Sequence, residues 1–404
     1  MTVRLGTMRT IVISSSDVAR EMFKNHDTEL AGRKIYEAMR GKEGDSEGSI
    51  ILAQYGPHWR MLRRLCTSEF FVKSRLDSTL MLREKCVCGM VRYILEVCEG
   101  GTNNAIDIGR YIYLMSFNLI GNLIFSMDLL DPNSRTGAEF FYHAGKIMDL
   151  AVKPNIADFF PMLRWLDPQR IKGKLEHESN DDAGANKKDF LDVLLNFRGD
   201  GVEEPVMFSP RVINATVMEM FIAGTDTTTS TLEWAMAELL QNPTAMIKVQ
   251  DELRGVLDIN SQGVLGENDM KRLPYLTAVI KETLRLHPPL PCLVPHMAMD
   301  TCKMLGYYIP KETQVLVNVW AIGRDPKLWK DPLVFKPERF LEMNMVDFKR
   351  HNFEYLPFGS GRRICPAIPL VSLVLPLALG SLLYLFNWVL PNGLKPEDGF
   401  PLRW

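Results

Sequence analysis

The stretch Phe358-Gly-Ser-Gly-Arg-Arg-Ile-Cys-Pro-Ala367 decides how this chain folds. It places Cys365 after a glycine-rich turn with two arginines and before a long apolar segment. A thiolate stays ionised where positive charge or the amides of a helix N-terminus lie close to it. We expect Arg362 and Arg363 to supply the charge, and a helix that begins near Pro366 to supply the amides. The stretch therefore predicts a thiolate that binds a metal; a surface turn with a buried structural cysteine is the alternative.

The residues on either side of Cys365 extend this prediction. Gly359 and Gly361 would let the backbone approach a flat ligand, because glycine has no Cβ to clash with it. The eighteen residues from Ile368 to Leu385 carry no charge, and this is the minimum length of a membrane span. Pro369 and Pro376 within them favour a buried helix that follows the cysteine loop instead.

The sequence predicts helices over residues 68–97, 107–125 and 274–286. The longest predicted helix runs from Pro210 to Gln241. Ser209 can cap it, proline suits its first turn, and Asn242-Pro243 ends it. At a rise of 1.5 Å per residue it would be about 48 Å long, enough to cross a whole domain. The run Gly224-Thr-Asp-Thr-Thr-Thr-Ser-Thr231 has poor helix propensity although it lies in the middle of this helix. Such local conflicts are typical of functional sites, and a solvated polar turn is the alternative.

Three further motifs place charged or aromatic residues at helical spacing. Lys281-Glu-Thr-Leu-Arg285 puts a glutamate and an arginine one turn apart, where they can pair, and Pro337-Glu-Arg-Phe340 follows it. Trp59-Arg-Met-Leu-Arg63 puts an indole and a guanidinium on one helix face. Each motif alone is also typical of an ordinary helix surface, where ion pairs contribute little.

Taken together, the motifs WxxxR, AGTDTT, ExxR, PERF and FGSGRRIC stand in the order found in cytochrome P450, the haem-thiolate monooxygenases. The chain resembles that family from Thr2 to about Glu397. The resemblance implies a mainly α fold with small β-sheets, in which haem b lies between a long central helix and the helix after the cysteine loop. It also implies a single domain over residues 1–404, in which the polar segment 176–188 would form an exposed loop.

The resemblance also implies roles for individual residues. Cys365 would be the axial ligand of the haem iron. Gly224 would leave room for dioxygen, while Asp226 and Thr227 would deliver the protons that cleavage of the O–O bond requires.

Further residues are expected at the haem and beside it. The family positions that contact the cofactor correspond to Trp59, Arg63, His296, Phe358, Gly361 and Arg363. The tryptophan, the two arginines and the histidine of this set would hold the propionates. Glu282, Arg285 and Arg339 would form a buried structural triad, in which loss of one partner costs several kcal/mol.

Composition limits the classes of function that are open to the chain. Hydrophobic residues make up 46% of it, which is enough for a large core, and the net charge of −2 gives no reason to expect nucleic acid as a partner. The seven cysteines are an odd set without CxxC spacing, so a disulfide framework is not expected.

Electrons would come from a separate protein, because the chain has no flavin or nicotinamide fingerprint. The resemblance implies an NADPH-dependent reductase and a location at the cytosolic face of the endoplasmic reticulum membrane. The candidate docking residues are Arg60, Arg63, Arg64, Lys349, Arg350 and Arg362. The pocket would include Phe221, Ala223 and the segment Leu290–Val294, whose apolar character suits a terpenoid-like metabolite. The sequence that flanks the motifs is most similar to plant members of the group that includes geraniol 8-hydroxylase and iridoid oxidase.

The chain also departs from the pattern that it resembles. We find no N-terminal membrane anchor or proline-rich hinge, a shorter segment between Lys174 and Lys187, and an early end after Gly399. Ala367 stands where the family has glycine. Because a pocket without its roof would admit water, the alternative hypothesis is a truncated remnant that binds haem or an apolar ligand without turnover.

Overall fold

The computed structural model describes residues 1–36, 48–100, 105–131, 190–201, 204–257, 265–342 and 352–390. These residues form a mainly helical structure with two small β-sheets, as the sequence predicts. The segment 176–188, the basic pair at 349–350 and the tail after residue 390 lie outside the described residues.

Helices make up most of the described chain. They are α1 (Ser16–Asn25), α2 (Pro57–Leu65), α3 (Lys73–Ser78), α4 (Leu80–Glu99), α5 (Ile108–Phe125), α6 (Phe190–Leu195), α7 (Pro210–Gln241), α8 (Pro243–Leu257), α9 (Pro274–Leu286), α10 (Val319–Ile322), α11 (Glu338–Glu342) and α12 (Ile368–Leu385). A π-helical turn at Cys66–Phe70 follows α2, and 3-10 turns lie at Glu267–Arg272 and Gly361–Arg363.

Two sheets accompany the helices. Their strands are β1 (Thr2–Leu5), β2 (Met8–Ile13), β3 (Gly32–Arg33), β4 (His296–Met297), β5 (Cys302–Met304), β6 (Tyr307–Ile309) and β7 (Gln314–Val317). The larger sheet has the order β1-β2-β7-β4-β3, in which only β2 and β7 run parallel, and β5 pairs with β6. Pairing of β3 with β4 places Arg33 directly opposite His296.

The central helix α7 begins and continues as its sequence predicts. The Ser209 hydroxyl accepts the N–H of Val212 at 3.3 Å and so caps the first turn. The threonine-rich run remains helical, and three of its hydroxyls bond within the helix. Thr227, Thr229 and Thr231 donate to the carbonyls four residues earlier, at 2.6, 2.9 and 2.7 Å.

One predicted helix, from Ser68 to Val97, is wrong in its first third. The structure divides this segment into the end of the π-helical turn, α3 and α4, with a break at Thr79. The buried side chain of Arg83 lies at the break and donates to the Leu76 carbonyl at 2.8 Å and to the Thr79 hydroxyl at 2.9 Å. In a continuous helix the Leu76 carbonyl would accept a backbone N–H. Here it accepts a bond from the buried arginine, so the helix is interrupted at this point.

Helix α12 is the apolar helix predicted after the cysteine loop. Its length and composition, with a mean hydropathy of 2.1, would allow it to cross a membrane, and 67% of it is buried inside the structure. It packs against α4, α7, α8 and α9. A helix that is apolar all round is expected in such a position at the centre of a protein.

A buried carboxylate fastens α9 to the segment that precedes the cysteine loop. Glu282 accepts the Nε–H and Nη2–H of Arg285, both at 2.8 Å, and the Nε–H of Arg339 at 2.9 Å. It also accepts the backbone N–H of Lys336 at 2.8 Å. None of the three charged residues is more than 5% exposed. The three residues predicted to form a triad therefore meet in the core.

Candidate functional site

The cysteine loop turns sharply before α12. Gly359 and Gly361 both have a positive φ, of 70° and 66°, a conformation that side chains with a Cβ rarely adopt. The N–H of Cys365 donates to the Phe358 carbonyl at 3.0 Å and closes the turn. The backbone N–H groups of Ala367 and Ile368 donate to the cysteine sulfur. The amides at the start of α12 therefore surround the sulfur as the sequence predicts.

The positive charge at the sulfur comes from Arg63 of α2, and the prediction that Arg362 and Arg363 supply it is wrong. Burial raises the pKa of the Cys365 thiol, while the two amides and Arg63 oppose that rise. Arg362 instead pairs with Asp27 at 2.8 Å at the surface. Sequence spacing does not show which arginine lies near the sulfur. The side chains of the two loop arginines are oriented by partners that lie far away along the chain.

The two loop glycines differ in their surroundings. Gly359 lines the cavity described below, together with Phe358. Gly361 does not line it, because a Cβ on this residue would overlap the carboxylate of Asp27. That carboxylate accepts the backbone N–H of Arg362 at 3.1 Å. Gly361 is thus required by the turn and by Asp27, and its predicted contact with a flat ligand stays a prediction.

A cavity lies between the central helix α7 and helix α12, and Cys365 is one of the residues that line it. Ala223, Gly224 and Thr227 of α7 form one wall, and Leu370 and Val374 of α12 form the opposite wall. Most of the exposed wall is apolar.

Three guanidinium groups meet at one side of this cavity. Arg63 donates to the Ile364 carbonyl. Arg363 donates to the carbonyls of Ala31 at 2.9 Å and Ala53 at 2.6 Å, and its guanidinium lies 4.3 Å from the ring centroid of Trp59. The Trp59 indole N–H donates to the Ile50 carbonyl at 2.9 Å, and this uses the single donor of the indole.

Arg33 is the third cation, and the sequence did not single it out. Its Nε–H donates to the Ile51 carbonyl at 3.1 Å and its Nη1–H to the Val294 carbonyl at 2.6 Å. Burial, and then the charge of Arg363, lower the pKa of the Arg33 guanidinium to about 9. Burial, followed by the charge of Arg63, lowers the pKa of the Arg363 guanidinium to about 10. Like charges are thus held close together in a buried place.

His296 lies in the same wall but differs from the role expected of it. Its Nδ1 lies 2.8 Å from the Leu30 carbonyl, which can only accept, so this nitrogen carries the proton. Burial, and then the charges of Arg33 and Arg363, lower the pKa of the imidazole to about 3. The ring is therefore neutral, and its Nε2 has a lone pair in place of the N–H that a propionate would accept.

The central helix places two of its predicted residues in the cavity wall and one outside it. Thr227 and Gly224 line the cavity, whereas Asp226 does not. Asp226 lies near Tyr113 of α5, and burial raises the pKa of its carboxyl to about 6. A Cβ on Gly224 would lie 2.8 Å from Cδ1 of Ile120, so this glycine allows α5 and α7 to approach closely.

The substrate residues expected from the sequence divide in the same way. Ala223, Leu290, Leu293 and Val294 line the cavity. Phe221 does not, because it packs against the ring of Phe117 with centroids 4.6 Å apart.

Glu219 is a second residue of the wall that sequence reasoning missed. It is the only carboxylate among the described residues that line the cavity. Burial raises its pKa, and hydrogen bonds from Ser49, Ile51 and Ile50 act in the opposite direction. Its position four residues before Ala223, on the same face of α7, was the available signal.

The donor set of this cavity fits a haem. Cys365 lines the cavity between apolar walls. Three guanidinium groups meet only one carboxylate in the described wall, and of these Arg33 and Arg363 are buried while Arg63 is half-buried. Buried like charges of this kind require an anion to neutralise them. A haem supplies two carboxylates on a flat apolar ring, so both the charge and the shape of the cavity correspond to it.

Fold and site therefore define a class of protein, one that holds a haem between a long central helix and a cysteine at the start of a buried helix. Comparison with known proteins leads to the same class. The family model described as Cytochrome P450 matches residues 1–402. The chain belongs to the cytochrome P450 family.

Individual relatives agree with this assignment. The chain is 44% identical to iridoid oxidase from Catharanthus roseus, covering 98% of this chain and 80% of that protein. It is 42% identical to geraniol 8-hydroxylase from the same plant, covering 98% of this chain and 82% of that protein. A zebrafish cytochrome P450 solved with progesterone superimposes with a TM-score of 0.75 at 29% identity, covering 95% of this chain and 88% of that one.

Membership of the family has direct consequences. The chain is a haem-iron monooxygenase that acts with dioxygen, an organic substrate and a redox partner reductase. The comparisons favour this function over the remnant hypothesis, since the relatives that it matches along 98% of its length are enzymes.

Proposed function

We propose that this chain is a haem b monooxygenase that oxidises an apolar, terpenoid-like plant metabolite with electrons from an NADPH-dependent reductase. The observation that carries the proposal is the cavity that Cys365 and Thr227 both line, between apolar walls and beside three guanidinium groups. When bound, the haem supplies the activation of dioxygen and the transfer of one oxygen atom to the substrate.

The residues around the cavity divide the task of holding the cofactor. Cys365 would bind the iron, with the amides of Ala367 and Ile368 stabilising its negative charge. Arg63 and Arg363 would bind the propionates, with Phe358 in contact with the ring.

Trp59 and His296, which are also predicted to contact the haem, would support the neighbouring arginines instead of binding a propionate directly. Trp59 would position the Arg363 guanidinium above its ring, because the indole N–H is already used. His296 packs in the same wall, and the charge expected of it would come from Arg33.

Proton delivery is the proposed role of Thr227 and Asp226. The Thr227 hydroxyl donates to the Ala223 carbonyl at 2.6 Å, so its lone pairs are left to accept a proton at the cavity wall. Asp226 stands next to it, with a carboxyl pKa of about 6. A group that titrates near neutral pH can both release and regain a proton, as a relay requires.

The substrate class rests on the wall and on the relatives. Leu290, Leu293 and Val294 form an apolar wall, and the relatives include proteins named geraniol 8-hydroxylase and geranylhydroquinone hydroxylase.

All seven cysteines are unpaired. Unpaired cysteines suit a reducing compartment, which supports a location at the cytosolic face of the endoplasmic reticulum membrane.

The proposed function is tested with the haem-loaded protein, a plant NADPH-dependent reductase and isotope-labelled dioxygen. We expect one labelled oxygen atom in the product from geraniol, and little product from decanoic acid, a chain of similar length whose charge an apolar wall disfavours. Equal oxidation of both compounds, or oxidation of the acid alone, would contradict the proposed substrate class.

A further inference from the structure

A short loop before α2 connects the central helix to the cations of the cavity. We call residues Gly48–Ala53 the strap. Its first carbonyl, of Gly48, accepts the Thr216 hydroxyl of α7 at 2.8 Å. Gly48 has a φ of 86°, and a Cβ there would lie 2.6 Å from Cα of Val212. The strap therefore begins in close contact with the central helix.

Glu219, one turn further along α7, holds the next residues of the strap. Its carboxylate accepts the backbone N–H of Ile50 at 2.6 Å and that of Ile51 at 3.1 Å, and also the Ser49 hydroxyl. Glu219 is partly buried and lines the cavity. A buried carboxylate needs such donors, because removal from water otherwise strongly disfavours its charge.

The opposite edge of the strap faces the cations. The Ile50 carbonyl accepts the indole N–H of Trp59, and the Ile51 carbonyl accepts the Nε–H of Arg33 at 3.1 Å. The Ala53 carbonyl accepts the Nη2–H of Arg363 at 2.6 Å. Amides on one edge thus bind the central helix, while carbonyls on the other edge hold the residues proposed to surround the haem carboxylates.

We propose that Glu219 is a positioning residue, which fixes the strap so that Ile50 and Ile51 form the pocket wall and their carbonyls orient Trp59 and Arg33. The proposal rests on the proposed function for the identity of the cofactor and of the substrate probe. Neither the thiolate nor the proton relay involves Glu219, so its effect is on the shape of the pocket and on the cations beside it.

Glu219→Gln tests this role, because glutamine keeps the shape of the side chain but leaves one acceptor oxygen for three donors. Glu252→Gln is the matched control: Glu252 of α8 accepts the backbone N–H groups of Tyr275 and Leu276 at 2.7 and 2.9 Å and does not line the cavity. Both variants are compared with the unaltered holoprotein by amide hydrogen exchange over residues 49–52, by the carbon monoxide difference spectrum, and by titration with geraniol.

In Glu219→Gln we expect amide exchange in the strap to become about tenfold faster, the change that corresponds to about 1.4 kcal/mol and to one charge-assisted hydrogen bond. Geraniol binding, read from the shift of the Soret band, should weaken by about the same factor, while the carbon monoxide band per haem is retained. Ser49→Ala, which removes only the hydroxyl donor, should give a smaller change in the same direction. Glu252→Gln should leave both strap exchange and geraniol binding as they are.

Unchanged strap exchange in Glu219→Gln, or an equal increase in Glu252→Gln, would overturn the positioning role. The exchange measurement needs no substrate, so it decides the role of Glu219 even where the unaltered protein fails to bind geraniol. That failure would count against the proposed substrate class instead.

Discussion

The pKa values of individual side chains in this site are determined more by burial than by the residues next to them in the sequence. Burial raises the pKa of Asp226 to about 6 and lowers that of His296 to about 3. The pKa of the acid is therefore close to neutral pH, and the imidazole is kept neutral. Asp226 can therefore gain and lose a proton near neutral pH, whereas His296 cannot.

Replacing Asp226 with asparagine should stabilise the fold at neutral pH. Because the folded-state pKa, about 6, is above the ordinary value of 3.8, ionisation of Asp226 costs stability above pH 6, and this cost disappears below the ordinary value. We expect Asp226→Asn to gain about 3 kcal/mol at pH 7.5 and progressively less as the pH falls towards 4. Urea unfolding at several pH values measures this gain, and a gain that grows on acidification would contradict the sign.

Replacing Thr227 with alanine should uncouple the reaction. The variant removes the hydroxyl at the cavity wall, so more peroxide should form per product. Thr229→Ala is the control, since Thr229 makes the same kind of bond, to the Thr225 carbonyl at 2.9 Å, without lining the cavity. Peroxide and product are measured together. Equal peroxide yields in the two variants would remove Thr227 from the proton relay.

At this scale the sequence predicted residues whose neighbours lie within one motif. Cys365 and Thr227 were singled out because the residues that make each of them distinctive stand next to it in the sequence. Arg33 and Glu219 were missed, because their importance comes from partners far along the chain, at Val294 and at Ser49. The charge near the sulfur was assigned to the wrong arginines for the same reason.

Among the elements, α5 and α7 pack closely together and both contribute residues to the cavity wall. The rings of Phe117 and Phe221 lie 4.6 Å apart, and Gly224 lies against Ile120. The helices can approach this closely only because the glycine has no side chain. The glycine predicted to leave room for dioxygen therefore also serves the packing of the two helices.

Gly224→Ala should destabilise the protein by overpacking, by about 1–3 kcal/mol. The added methyl would lie 2.8 Å from Cδ1 of Ile120, at the end of a flexible side chain. Ile120→Val removes that atom, so the double variant should recover most of the loss. Thermal or urea unfolding of the two single variants and the double variant measures the coupling. Purely additive effects would show that Ile120 is not the obstacle.

The elements themselves were predicted well where caps and periodicity coincide. The bounds of α7, α9 and α12 follow from Ser209-Pro210, from Pro274 and from the apolar run after Ala367. The segment that contains α3 and α4 was predicted as one helix, because its apolar pattern does not show that Arg83 is buried and bonded to the backbone. Only the tertiary structure shows which side chains of an amphipathic pattern compete with the helix itself.

Across the whole molecule, the buried network of Glu282 holds the helical core to the chain that leads into the cysteine loop. Arg285 also donates to the carbonyls of Gly323 at 2.6 Å and Pro332 at 2.7 Å. The network therefore joins α9 with two loops and α11. An ion network that is fully buried is sensitive to the loss of any one charge.

Glu282→Gln should cost about 3–5 kcal/mol, because two buried arginines lose their counter-ion. Asp251→Asn is the matched control, since it removes an i,i+3 pair with Arg254 that is exposed and worth little. Unfolding in urea and the yield of haem-loaded protein measure both variants. A loss of less than 1 kcal/mol in Glu282→Gln would show that the network does not stabilise the fold.

The most direct test of the central claim, that Cys365 binds the haem iron, is the difference spectrum of the reduced protein under carbon monoxide. Cys66 is the proper control, because it is the other cysteine that lines the cavity, and burial raises its pKa to about 12. We predict that Cys66→Ser keeps the thiolate-type Soret band and that Cys365→Ser loses it while still containing haem. Retention of the band in Cys365→Ser, or its loss in Cys66→Ser alone, would contradict the assignment of the ligand.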